Sequence, residues 1–276
     1  MKIVVVSAGY LPRIRCHRVI EPAKLTFVVH TDESRREVAD YTGVPLKNIH
    51  VSHCEKGPWG AALQRRWAQN NLIAENEWYA VFDDNNSQVT KVPEPWYSMT
   101  ELNWDEDFGP DEDPRELFRE PCKDVIGLLE EAIDNCEAIN TVYGGFATND
   151  NFYFRRVKWG FWSYIETAMA VIRNVGLNFY PMEHCTYEDF CITVETVARY
   201  GCVARNNYAK CIKIPYEEGG IGSLEQRRPS LVPTCNKLKE MYPGLLKHVK
   251  DRDYDLRIRL RSQRTIDEWR KEHGYL

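Results

Sequence analysis

A chain of 276 residues with ordinary hydrophobic and charged content is long enough to bury one large α/β core, and it holds no apolar run of membrane-spanning length. A formal net charge of −5 argues against a general nucleic-acid coat protein, although an acidic chain can still carry a local basic face for phosphate. Nine cysteines without a C-x-x-C pair fit reduced thiols better than a disulfide framework or a zinc ribbon; with no signal-peptide layout at M-K-I-V-V-V-S-A-G, the expectation is a cytoplasmic protein with no membrane partner.

In chain order, the β-branched run Lys2–Val6 predicts a first strand that opens at Ser7-Ala8-Gly9 onto a loop carrying Arg13, Arg15 and Arg18. Residues 25–30 predict a second strand, and Ser34-x-x-Glu37 has the form of a capping box for the short helix that Gly43 and Pro45 stop. A third strand is expected over 49–52. Lys56-Gly57-Pro58-Trp59-Gly60 then leads into a helix over 61–72 that bears Arg65 and Arg66. A glycine-rich entry to a helix with a nearby lysine reads as an anion site or as an ordinary βα loop.

The sharpest signal is W-Y-A-V-F-D-D-N-N over 78–86, an apolar run that breaks into carboxylates and amides. It reads as a buried strand delivering Asp83, Asp84 and Asn85 to the sheet edge, where ligands of α/β sheets sit. These hard oxygen donors suit Mg²⁺ or Mn²⁺ rather than Zn²⁺, and an Asx-rich turn is the plainer alternative.

Residues 91–121 gather prolines and acidic residues and read as a long surface loop. Val125, Leu128, Leu129, Ala132 and Ile133 predict an amphipathic helix, followed by Gly144-Gly145, where a ligand contact and a tight turn are both open. An aromatic strand is expected over 152–154, and Trp162, Ile165, Met169 and Ile172 fall on one face of an expected helix ended by Gly176. Next, Thr186-Tyr187-Glu188-Asp189 opens a helix; its carboxylates serve the macrodipole or a cap, or one of them is a general base. A short strand over 211–214 precedes a glycine-rich loop at 217–223. Finally Tyr254, Leu256, Ile258 and Leu260 alternate with Arg257, Arg259 and Arg261, giving a C-terminal strand with an arginine-rich outer face.

Taken in this order, the pieces resemble the GT-A class of nucleotide-sugar glycosyltransferases. The segments Y-A-V-F-D-D-N and K-C-I-K-I-P-Y-E-E-G-G-I-G-S resemble the TET-associated, phage-type glycosyltransferases most. The resemblance implies a GT-A-like, Rossmann-like α/β fold with a central mixed sheet flanked by helices, in a single domain over 1–276. Residues 1–90 would be the nucleotide-sugar-binding half and 122–276 the acceptor-binding half. It implies sugar transfer from a UDP-linked donor to 5-hydroxymethylcytosine in DNA, with a divalent cation, Mn²⁺ or Mg²⁺. By position, Asp83, Asp84 and Asn85 would form the metal and ribose site, His248 would match a late metal-binding histidine, and Asp189, with Glu188 beside it, the catalytic base. Ser7, Arg13, Lys56, Gly57, Trp59, Arg65, Asp83, Gly144 and Gly145 would line the donor, and Arg257, Arg259 and Arg261 would meet the DNA backbone. One departure is plain: the third place of the acidic motif holds the neutral Asn85.

A single base opposite the departing diphosphate would invert the anomeric centre. Trp96, Trp104 or Tyr187 would stack on an extruded base. Two rival readings share these residues: a sugar nucleotidyltransferase, and an inactive module that binds a nucleotide sugar or DNA.

Overall fold

The computed structural model describes residues 1–57, 59–91, 121–147, 159–183, 185–213 and 224–276. The expectations at Trp96, Trp104, the aromatic strand over 152–154, the glycine-rich loop over 217–223 and nearly all of the acidic loop lie outside these residues.

The first half is built as its patterning predicts. Strands β1 (Lys2–Val6), β2 (Leu25–Val29), β3 (Ile49–Val51) and β4 (Trp78–Asp83) are parallel, in spatial order β3-β2-β1-β4. Helix α1 (Asp32–Thr42) connects β2 to β3, and α2 (Gly60–Leu72) connects β3 to β4. Both faces are covered, which is why the strands read as continuous apolar runs. Val4, Val6, Tyr79 and Val81 face a core shared with Ala68 of α2, whereas Ile3, Val5, Ala80 and Phe82 face one shared with Val38 of α1. The chain therefore reverses its winding between β1 and β4. That reversal opens a crevice beyond their carboxyl ends, the place where open α/β sheets bind ligands.

Beyond β4 the sheet becomes mixed. β8 (Met169–Arg173) runs antiparallel to β4 and to β6 (Tyr143–Ala147), and β9 (Ala204–Lys213) lies parallel to β6. β5 (Asn86–Lys91) and the short β7 (Trp159–Gly160) both pair antiparallel with β9, completing a nine-stranded sheet. α3 (Val125–Ala138) covers the α1 face through Leu128, Leu129, Ala132 and Cys136. The opposite face carries α4 (Glu188–Tyr200), α5 (Leu224–Met241), α6 (Gln263–Glu272) and the hairpin of β10 (Leu246–Val249) with β11 (Arg252–Ile258).

Several local expectations are corrected. Thr31, not Ser34, caps α1, its hydroxyl accepting from Ser34 N at 3.2 Å, so the helix begins a turn earlier. The helix expected to include Met169 and Ile172 is the strand β8. Its five residues are too few for periodicity to separate a buried strand from a helical turn, and sheet partners on both sides decide it. β9 has ten residues, far longer than the short strand expected near its end.

Gly144 and Gly145 lie inside β6, in neither a turn nor a ligand loop. A Cβ at Gly144 would overlap Cys136 Sγ and stand 3.3 Å from Ala204 O; one at Gly145 would overlap Ile165 Cγ2 and stand 3.2 Å from Met169 O. The absent side chains make room for protein, which corrects their assignment to the donor. Gly145→Ala should therefore cost about 1–3 kcal/mol by overpacking, read from urea denaturation. Unchanged stability would return this glycine to the ligand-facing reading.

Candidate active site at the carboxyl edge of the sheet

Ser7 follows β1 and is almost fully buried; its hydroxyl donates to Asp84 Oδ2 at 2.7 Å, joining the loops beyond β1 and β4 across the crevice. The Asp84 carbonyl accepts from the backbone N–H groups of Arg15 (2.7 Å) and Cys16 (3.1 Å), which fixes the turn. Burial pushes the Asp84 carboxyl up to about 6, against the lowering effect of the Ser7 hydrogen bond. Gln64 of α2 donates to the carbonyls of Ser7 (3.2 Å) and Val28 (3.1 Å), so buried backbone at the end of β1 is satisfied.

Asp83 is held from two sides. Arg65, on α2 and only 5% exposed, donates through Nη2 to Asp83 Oδ1 at 2.6 Å and through Nη1 to Glu188 Oε1. Lys213, the last residue of β9, places Nζ 3.1 Å from Asp83 Oδ2 and 3.1 Å from Glu166 Oε2. Burial alone would raise the Asp83 carboxyl, but the positive charges of Lys213 and Arg65 hold it below the usual carboxylate range. The same carboxylates, outweighing burial, hold Lys213 firmly protonated.

Asp189, at the start of α4, accepts from Phe190 N at 2.9 Å and from the Tyr164 hydroxyl. The first contact satisfies a free N–H of the helix's first turn, so a capping contribution is present. The Thr186 hydroxyl pairs with that of Ser230, their oxygens 3.0 Å apart. Burial, then the charge of Glu188, pushes the Asp189 carboxyl up to about 7, while the Tyr164 hydrogen bond works the other way. The two adjacent carboxylates thus differ: Glu188 is ion-paired to Arg65, and Asp189 meets neutral donors.

The edge therefore gathers Ser7, Asp83, Asp84, Arg65, Glu188 and Asp189, as the sequence groups them. Lys213, Glu166 and Tyr164 join them unforeseen. Lys213 stands within K-C-I-K, but nothing in that motif says which carboxylates it meets; the pairing of β9 with β5 decides that. Arg65 is not open to a phosphate, because its guanidinium is buried between two carboxylates. Lys56 and Gly57 are exposed ahead of α2, with the Trp59 indole against Gly57, and Gly60 N is already used by Gly57 O at 2.9 Å. Arg13 is partly buried in the loop after β1 and acts on Asp84 through its charge. Tyr187 is unsuited to stacking as placed, since its ring lies on Phe190 with centroids 5.0 Å apart and its hydroxyl donates to Asp255 Oδ1 at 3.1 Å.

A divalent cation does not fit this arrangement as it stands. Both oxygens of Asp83 are engaged by cations, one oxygen of Asp84 accepts from Ser7, and Asn85 adds no charge, although its Oδ1 is buried without a partner. Among the described residues, no three His, Cys, Asp or Glu side chains converge as metal ligands. His248 lies on β10 opposite Leu256, its Nδ1 buried without a partner. Arg257, Arg259 and Arg261 are exposed while Leu256 and Ile258 are buried, so the alternation is as read, on the β10–β11 hairpin and its continuation.

No protein-family model and no curated protein sequence matches the chain. Among solved structures it is similar to S. aureus TarS 1-349, at 12% identity and a TM-score of 0.45 over 99% of this chain and 70% of that one. It is also similar to glucosyl-3-phosphoglycerate synthase from Mycobacterium tuberculosis, solved with Mn²⁺, UDP and glucosyl-3-phosphoglycerate. That likeness has 10% identity and a TM-score of 0.49, over 93% of this chain and 86% of that one. No helix among the described residues is long and apolar enough to cross a membrane.

The bridge made by Arg65 sets a stability test. Arg65→Met leaves Glu188 and one side of Asp83 unpaired in a buried site and should cost roughly 3–5 kcal/mol in chemical denaturation. Arg65→Lys keeps the charge but loses the planar guanidinium whose two nitrogens each meet one carboxylate, and should recover only part of that. A near-neutral Arg65→Met would show that the bridge is dispensable.

Proposed function

We propose that the chain is a glycosyltransferase that holds a nucleotide sugar in the crevice between β1 and β4 and passes the sugar to an acceptor hydroxyl deprotonated by Asp189. The observation that carries the reading is the placement of Asp189. It is a half-buried carboxylate with a raised pKa and no ion pair among the described residues, on the same sheet edge as Ser7 and Asp84. A base tuned near the working pH is what proton abstraction from a hydroxyl requires, and the winding reversal is where a nucleotide is expected.

Asp189 takes the hydroxyl proton as the hydroxyl oxygen bonds to the anomeric carbon. The bond to the diphosphate breaks with its electron pair leaving on phosphate oxygen, so the anomeric centre inverts. Tyr164 keeps the base aimed. The resemblance of the sequence motifs extends this to a UDP-linked donor and to the hydroxymethyl group of 5-hydroxymethylcytosine in DNA. The exposed Arg257, Arg259 and Arg261 support a polyanionic acceptor, because three basic side chains alternating with buried ones can meet one phosphate backbone.

Asp189→Asn should leave UDP binding near wild type and lower transfer about 10²–10⁴-fold, the range of a lost general base. An unchanged rate would remove Asp189 from the chemistry and leave it the helix contact. Wild-type transfer should rise as pH passes about 7, where the base loses its proton, and then level off. Stability should move the opposite way. The folded state keeps the Asp189 proton to about pH 7 and the unfolded chain loses it near 4, so raising pH across that window destabilises the fold. Asp189→Asn should flatten that decline in a pH series of thermal melts; an equal decline in both proteins would contradict the assigned shift.

For the acceptor, changing Arg257, Arg259 and Arg261 together to Gln should flatten the dependence of log DNA affinity on log salt by roughly 0.9 for each phosphate no longer neutralised. Donor affinity should not move. An unaltered slope would exclude this face as the DNA-binding surface.

A further inference from the structure

The donor's diphosphate needs positive charge at an edge lined by carboxylates, and the cation that the geometry offers is part of the chain. Lys213 Nζ stands 3.1 Å from Asp83 Oδ2 and 3.1 Å from Glu166 Oε2, between a carboxylate at the end of β4 and one in the segment that leads into β8. Its side chain is 33% exposed, in contrast to the enclosed side chain of Arg65 at 5%, so Lys213 is the less enclosed of the two cations held by Asp83. Lys213 is held from the sheet, on the strand that pairs with β5, and β5 begins directly after Asp83, Asp84 and Asn85. The motif's third place is the neutral Asn85, and Asp83 has no oxygen left unengaged.

The geometry points to Lys213 as a tethered cation for the donor diphosphate, taking the place of a divalent metal, so that this chain binds nucleoside diphosphates and transfers sugar without one. The proposal rests on the nucleotide-sugar reading above. An ammonium with three donors can keep Asp83 or Glu166 and turn a remaining N–H toward phosphate oxygen, which a fully enclosed arginine cannot do. Arg65 serves a different end, fixing Asp83 and Glu188 so that Lys213 has a rigid anchor. The sequence departure at Asn85 then follows: a site with its own cation has no use for a further anionic ligand, and adding one would oppose the diphosphate.

The test is calorimetric titration of UDP into chelator-treated protein, repeated with Mn²⁺ and with Lys213→Met and Lys213→Arg. Wild type should bind UDP in excess chelator, with Mn²⁺ changing the affinity less than about threefold. Lys213→Met should weaken binding in chelator by roughly tenfold to a hundredfold, the worth of one hydrogen bond to a charged group. Lys213→Arg keeps the charge and should retain most of the affinity, which separates loss of the cation from loss of the fold; thermal melts of all three proteins check the fold directly. Wild-type binding that appears only with Mn²⁺, or Lys213→Met binding as wild type does in chelator, overturns the tethered cation while leaving the nucleotide reading in place. If UDP binds under neither condition, the nucleotide reading itself fails and this inference falls with it.

Discussion

The candidate site depends on one buried guanidinium. Arg65 reaches from α2 to Asp83 at the end of the following strand β4 and to Glu188 at the start of α4, more than a hundred residues further along the chain. Burying such a charge is costly, and it is tolerated because both partners are ionised and held in fork geometry. With the pair fixed, the network continues through Asp83 to Lys213 and on to Glu166. Glu188 is consumed by this framework, and its neighbour Asp189 is left with neutral donors. Adjacent carboxylates thereby stand in different surroundings, and the proposed function assigns the acid–base role to the one without an ion pair among the described residues.

The parallel half, β1 to β4, was legible in the sequence because its signals are local. A β-branched run, a switch to helical period and a glycine stop each act within a few residues. The burial of β1 and β4 on both faces gives apolar runs that no other element explains. The second half was harder to read. β8 is an apolar run too short for its period to speak, and β5, N-S-Q-V-T-K, buries Asn86, Val89 and Thr90 in a strand whose sheet partner β9 lies more than a hundred residues away. α5 carries Pro229 and Pro233, which hide a helix from any rule that treats proline as a breaker, and tertiary packing of Cys235 and Leu238 outweighs them.

The same contrast holds for the site. Asp83, Asp84 and Asp189 were visible as carboxylates at an element boundary, where polarity changes abruptly. Which partner each one meets was not, since that is set by the strand order β4-β8-β6-β9-β5 and by side chains crossing it. The paired glycines show the limit from the other side. A glycine pair looks the same in sequence whether a ligand or a cysteine fills the space, and here Cys136 and Ile165 fill it. Arg257, Arg259 and Arg261 were read from alternation, and the hairpin keeps that alternation because Leu256 and Ile258 need the core.

The central claim is that a sugar leaves a nucleotide in this crevice for a hydroxyl beside Asp189. Its most direct measurement is mass spectrometry of nucleosides from 5-hydroxymethylcytosine-containing DNA incubated with the protein and a panel of nucleotide sugars, UDP-linked donors first. The account predicts a hydroxymethylcytosine nucleoside heavier by one sugar residue, formed by wild type and absent with Asp189→Asn. Modified DNA that gains no sugar mass with any donor, or release of pyrophosphate from a nucleoside triphosphate and a sugar phosphate in its place, would contradict it.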